Sequence, residues 1–147
     1  MDPSYAGLWA LLIALWFVAS AVYRRANGRP LHAAREPGAV FVARWVSARF
    51  GASLLSRLST ARNCVQVQVT RAEIVVTPHF PFTLGFLAEI YGYDRRIRLA
   101  DVKSVLIVGG HFTPVVEVQY LDAQGREAAL QLLLRRAVDF VAAARPG

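Results

Sequence analysis

The sequence contains almost no cysteine and almost no lysine. Cys64 is the only cysteine in 147 residues, which excludes an internal disulfide and a cysteine-based zinc site and fits a reducing compartment. Because it stands beside the alternating Val65, Val67 and Val69, we expect a packed strand residue rather than a nucleophile. Lys103 is the only lysine against sixteen arginines, a bias that codon composition explains as well as guanidinium chemistry does.

Motifs of catalysis are also absent from the sequence. There is no Gly-x-Ser-x-Gly elbow, no glycine-rich phosphate loop and no His-x-x-x-His or Glu-x-x-His pair. The three histidines, His32, His79 and His111, are scattered through the chain. We therefore predict a protein that is not an enzyme and holds no metal or cofactor. An enzymatic alternative requires a pocket that gathers His79, Glu89 and Asp94.

Charge is missing altogether from residues 5–23, a run of nineteen residues that begins and ends with tyrosine. As a helix it reaches about 28 Å, close to the ~30 Å hydrocarbon core of a bilayer. Tyr5 and Tyr23 fall where headgroups lie, as amphipathic rings prefer. The run predicts a single transmembrane helix. A cleaved signal peptide ending near Ala19-Ser20-Ala21 and a buried core helix are the alternatives, although no basic segment precedes the run.

The basic flank of this run lies on its C-terminal side, at Arg24, Arg25 and Arg29, whereas only Asp2 precedes it. The positive-inside rule then predicts an N-terminus outside and the remaining chain in the cytoplasm. Residues 24–62 hold eight arginines and one glutamate, a net +7 that equals the formal charge of the whole chain. This excess either attracts anionic headgroups or only enforces topology and solubility. Without a recognisable nucleic-acid module, we expect no nucleic-acid partner.

The remaining chain is predicted to be one domain of mainly β, α+β class. We divide the protein into a transmembrane segment (1–25), a linker (26–39) and a domain (40–147). Alternation of valine and glutamine over residues 64–70 predicts a strand with Gln66 and Gln68 on a wet face. Residues 40–50 are read as a strand with a helix as the alternative, and residues 53–59 as a short helical turn. In all, about seven short antiparallel strands and an amphipathic C-terminal helix predict a capped barrel.

An apolar connection, residues 79–93, interrupts the strand pattern. Its Phe80, Phe82 and Phe86 are large groups for a solvent-facing loop. The loop either folds back over one end of the barrel or contacts the bilayer or a membrane partner.

Three arginines follow this connection, Arg95, Arg96 and Arg98. They form either a basic collar around an apolar tip or a solvated strand end with Asp94 and Asp101 as counter-charges. The phenylalanine tip and this arginine collar together are the candidate contact site for lipid or partner.

Small residues on the first helix suggest a second kind of contact. Gly7, Ala10 and Ala14 allow close helix packing. They motivate the alternative function of an accessory subunit in a larger membrane complex, with the helix itself as the interface.

Four short stretches carry a resemblance to a known group: residues 63–67, 79–82, 89–92 and 120–127. With the element order, they resemble uncharacterised bacterial single-pass membrane proteins with a pleckstrin-homology-like domain. The resemblance implies a seven-stranded barrel with a C-terminal helix and a protein-interaction or oligomerising module in a bacterial membrane. With the apolar connection and the basic flank, we expect a non-enzymatic interaction or scaffold module at the bacterial inner membrane that binds a protein partner, a second copy or the membrane surface. Eukaryotic relatives bind phosphoinositides near the first strand loop, where Arg57 and Arg62 fall here without a Lys-x-Arg pattern.

Overall fold

The computed structural model describes residues 3–29, 31–50, 60–84, 92–109 and 112–145. Helix α1 (Pro3–Ala26) begins at a proline, which suits the first turn because its missing N–H needs no partner there. It ends at Gly28, whose φ of +66° lets Arg29 N–H donate to Arg24 O at 2.9 Å and Gly28 N–H to Arg25 O at 3.1 Å. This is a Schellman ending. The segment Tyr5–Ala26 is long and apolar enough to span a membrane, as predicted.

Seven antiparallel strands form one open sheet. They are β1 (Phe41–Phe50), β2 (Thr60–Val69), β3 (Glu73–Pro78), β4 (Arg95–Arg98), β5 (Val102–Gly109), β6 (Val115–Leu121) and β7 (Glu127–Leu133). Their order is β4-β3-β2-β1-β7-β6-β5, so that β4 and β5 are the two edges. The predicted strands and the C-terminal helix are confirmed, and residues 40–50 are strand rather than helix. The expected helical turn at 53–59 lies outside the described residues.

The core lies inside the curve of this sheet. The inward residues of β2 and β7 alternate with outward ones, as in Val65, Val67 and Val69. Helix α2 (Ala137–Ala144) contacts strands from both halves of the sheet, and Phe140 meets Phe41 edge to face at 5.4 Å. Cys64 is buried in β2, as predicted, and burial raises the pKa of its thiol.

Two irregularities distort the pairing of β1 with β2. Between Ala43 and Val46 the strand carries one residue more than β2 does, and Trp45 adopts a φ of +57°. At the second irregularity, Asn63 of β2 has a φ of +48° and forms two hydrogen bonds with Ser47 of β1. The Ser47 hydroxyl donates to Asn63 Oδ1, and Asn63 N–H donates to Ser47 Oγ, both at 3.0 Å. Such bulges turn side chains out of the regular pleat, and Arg44 and Trp45 face solvent here.

The linker is bound to the outer face of the sheet. Gln68 Nε2 donates to Ala34 O at 2.8 Å, and Glu36 N–H donates back to Gln68 Oε1 at 2.8 Å. Gln66 and Gln68 are therefore fully buried, and the predicted wet face is wrong at both positions. The glutamine side chains supply the hydrogen bonds that the irregular linker backbone needs when it leaves water.

Candidate membrane-contact site

The end of α1 contacts the domain directly. Ser20 and Arg24, one helical turn apart, are fully buried, and Arg24 Nη2 lies 3.7 Å from Asp94 Oδ2 just before β4. Of the predicted juxtamembrane arginines, Arg25 and Arg29 are exposed, whereas Arg24 is a structural contact to the domain. The helix end and the sheet are thus joined through a side chain as well as through the chain itself.

The first part of the apolar connection lies against the linker. Thr83 Oγ–H donates to Leu31 O at 2.9 Å, and the rings of His32 and Phe80 stack at 5.2 Å. Phe80 is 48 % exposed and Phe82 is 38 % exposed, while Thr83 between them and the linker is buried. These two phenylalanines do not cover the core. Phe86 lies outside the described residues.

An aromatic pair continues this surface across the sheet. His79 stacks on Trp45 at 4.5 Å, and Trp45 is 57 % exposed. Burial, together with the positive charge of Arg44, lowers the pKa of His79, so the imidazole is neutral at neutral pH. The row His32, Phe80, His79 and Trp45 therefore links the linker to the bulge of β1. Together with the exposed Phe82, these four residues are the membrane-contact candidate, called the aromatic row below.

Beside Trp45 opens a groove of about 810 Å³. β1 pairs with β7 only from Ser47 to Phe50, because β7 ends at Leu133, the partner of Ser47. The earlier part of β1 therefore has no β7 residue beside it. The groove is lined by Val42, Ala43, Arg44, Trp45, Val46, Ser47, Asn63, Thr113, Leu133, Leu134, Arg135 and Arg136. The sequence did not predict it.

The sheet register places the β5–β6 turn on the other side of this groove. One line of strand partners crosses β5, β6, β7 and β1 through Gly109, Val115, Leu133 and Ser47. The neighbouring residue Val46 continues this line across β2 and β3 through Val65 and Pro78. Five interstrand steps of about 4.8 Å separate β5 from β3 by at most about 24 Å. Near the turn, Val108 is half exposed and Phe112 is fully exposed. Apolar groups thus flank the groove on both sides.

The three arginines of β4 are held within the domain. Arg95 donates to Gly92 O and Tyr120 Oη, both at 3.0 Å, and its guanidinium lies over the Phe50 ring. Arg96 bridges Glu36 of the linker, at 2.6 Å, and Glu73 of β3. Arg98 pairs with Asp101 at 2.8 Å. Of the two alternatives for this cluster, the geometry favours counter-charged arginines over a free basic collar.

The small residues of α1 form an uncovered face. Gly7, Ala10 and Ala14 are exposed, and a Cβ placed on Gly7 would meet no atom within 4 Å. This face is open to lipid or to another helix.

Groups that could perform catalysis are not gathered within the described ranges. Asp94 faces Arg24 and His79 faces Trp45, while Glu89 and His111 fall in gaps of the description. No cluster of three histidine, cysteine or carboxylate side chains suited to a metal occurs among the described residues.

Sequence reasoning missed Arg44, Trp45, Arg135 and Phe112 as surface features. The imperfect alternation of residues 40–50 was the one available signal, because a bulge breaks the period of two. Comparison with known proteins adds no relative: no family model, no curated protein and no solved structure matches the chain.

Proposed function

We propose that this protein is a membrane-anchored, non-enzymatic interaction module whose domain rests on the bilayer through the aromatic row. The hydrogen bond from Thr83 to Leu31 carries the proposal, because it ties the loop of the exposed Phe80 and Phe82 to the linker. Leu31 is five residues beyond the end of α1, and five extended residues span at most about 18 Å. The two phenylalanines are thereby kept near the interfacial layer in which α1 ends.

Three further contacts restrict movement of the domain relative to the end of α1. Arg24 meets Asp94, Gln68 holds the linker backbone, and Arg96 pairs with Glu36. A domain on a flexible linker would reorient freely by rotational diffusion. These contacts instead hold the domain in one orientation relative to the end of α1. The exposed Arg25 and Arg29 add attraction to anionic headgroups, on the order of 1 kcal/mol each. By the positive-inside rule, the surface concerned is the cytoplasmic leaflet.

A second candidate is an accessory subunit that uses α1 as its interface. The exposed face of Gly7, Ala10 and Ala14 favours it, since small residues permit close approach of a second helix. A protein partner or a second copy of the chain would then be bound inside the bilayer rather than at its surface.

Photo-crosslinking in native membranes distinguishes the two functions. Phe82, Ala10 or Ala100 is replaced, one at a time, by photoreactive p-benzoylphenylalanine in the full-length protein. Ala100 is an exposed control in the 3₁₀ turn Leu99–Asp101, at the opposite end of the β3–β4 pair from Phe80 and Phe82. We expect adducts with lipid at position 82 and not at position 100. A protein adduct at position 10, with no lipid adduct at 82, would instead establish the accessory subunit.

A further inference from the structure

The groove beside Trp45 has an unbalanced charge. Arg44, Arg135 and Arg136 line it, and no aspartate or glutamate appears among the described lining residues. Arg136 is paired with Asp139 at 2.7 Å and lies over the Phe41 ring. Arg44 and Arg135 form no ion pair with any residue in the described ranges. Three arginines thus line one opening, and only Arg136 among them is paired with a carboxylate in the described ranges.

One wall of the groove is shaped by the hydrogen-bonded pair of Ser47 and Asn63, at the second irregularity in the pairing of β1 with β2. Ser47 and Asn63 satisfy each other, so they shape the wall without needing a ligand. Residues 42–46 line the groove on the side where β1 has lost its pairing with β7 in the described part. Backbone N–H groups along such an unpaired edge can donate to an anion, as edge and turn amides do elsewhere.

Backbone strain also marks this place. A bulky aromatic residue at positive φ is an outlier, because in the left-handed conformation the Cβ comes too close to the following carbonyl oxygen. Trp45 adopts this conformation, lines the groove and stacks its ring on His79. Strain of this kind persists where the surrounding structure fixes it and is concentrated at functional sites.

We infer that the groove binds a phosphate-bearing anion. Guanidinium groups pair with phosphate through two parallel hydrogen bonds, and a phosphate would relieve the repulsion among the three arginines. The volume of about 810 Å³ exceeds what phosphate alone fills and leaves space for an organic group against the Trp45 ring. Both a lipid headgroup and a soluble phosphate ester have this chemistry. The lipid source rests on the proposed membrane contact, whereas the site itself does not.

The test uses full-length protein in which Trp45 is the only tryptophan, through Trp9→Phe and Trp16→Phe. Its fluorescence reports on the groove. In nonionic micelles the protein is titrated with sodium glycerol phosphate, and with sodium chloride at equal ionic strength. In nanodiscs it is compared between phosphatidylcholine alone and phosphatidylcholine mixed with phosphatidylglycerol.

The variant Arg44→Gln/Arg135→Gln removes the two unpaired guanidinium groups. Arg71→Gln/Arg145→Gln removes the same charge from exposed positions at the far end of α2, and circular dichroism verifies that both fold. We expect a saturable response of Trp45 to phosphate or to phosphatidylglycerol, weakened at least about tenfold in the groove variant and kept in the matched variant. A response in micelles identifies a soluble ligand, and one confined to nanodiscs identifies a lipid.

Absence of a response in both arms, or equal responses of the two double variants, would overturn the inference. Failure of the proposed membrane contact gives a different result. In that case glycerol phosphate still binds in micelles, where no bilayer is present.

Discussion

The side-chain amide of Gln68 donates a 2.8 Å hydrogen bond to the backbone carbonyl of Ala34, and so binds the linker to the middle of the sheet. Its Oε1 accepts from Glu36 N–H at the same distance, so one buried glutamine satisfies two backbone groups. Residues 34–36 of the linker, called the strap below, are therefore held along β2 by these two bonds. Because the strap connects α1 to the sheet, it helps to set the orientation of the domain relative to α1.

Replacing Gln68 with alanine should release the strap. Glu36 N–H would lose its partly buried acceptor, and Ala34 O would keep only the longer 3.4 Å bond from Gln66 Nε2. We expect a loss of about 1–3 kcal/mol in the free energy of unfolding. Hydrogen exchange at the Glu36 amide in micelles measures the local effect, and it should become faster. Gln119→Ala, an exposed glutamine of β6, is the matched control. Unchanged exchange at Glu36 would show that the linker is held by other contacts.

The contact between Arg24 and Asp94 should be worth more than the surface pairs. Asp94→Asn leaves the buried Arg24 without this carboxylate, and we expect a loss of roughly 1–3 kcal/mol in chemical denaturation of the micellar protein. Asp101→Asn breaks the exposed pair with Arg98 and should change stability by less than about 0.5 kcal/mol. Equal effects of the two substitutions would contradict a structural role for Arg24.

Stability should fall as the pH is lowered, in part through His79. Burial and Arg44 lower the pKa of His79 below its unfolded value of about 6.5, so below that pH the unfolded chain binds the proton more readily than the folded one. The loss begins near pH 6.5 and levels off once the pH is below the folded-state pKa. His79→Gln should remove this part of the slope in denaturation midpoints. A slope identical to that of the unchanged protein would refute the assignment.

The sheet could be predicted from the sequence because period-two alternation is a local property. In β2 the core residues Val65, Val67 and Val69 are spaced as a half-buried strand requires, and the turn at 122–125 has Gly125 at a φ of +74°. Both signals lie within a few neighbouring residues. The apolar length of α1 is similarly local.

The buried face of Gln66 and Gln68 could not be predicted in this way. Alternation shows that one face of β2 differs from the other, but not that a segment thirty residues earlier covers the polar one. A glutamine in water and a glutamine that bonds a buried backbone have the same local pattern.

The groove was missed for a related reason. Trp45 reaches its position through a bulge, and Arg44 and Arg135 meet there although ninety-one residues separate them in the chain. Arg44 and Arg135 come together because β1 pairs with β7 and because this pairing ends at Ser47 and Leu133, near both arginines. The exposed apolar side chains beside the β5–β6 turn likewise become part of this surface through the register of the sheet.

The depth of Phe82 tests the central claim most directly. Phe82→Trp is made in full-length protein without its natural tryptophans, through Trp9→Phe, Trp16→Phe and Trp45→Phe, and reconstituted in bilayers that contain brominated phosphatidylcholine. Ala100→Trp in the same background is the control, at the far end of the β3–β4 pair. We predict strong quenching at position 82 and little at position 100. Equal, weak quenching at both positions would contradict a domain that rests on the membrane through its aromatic row.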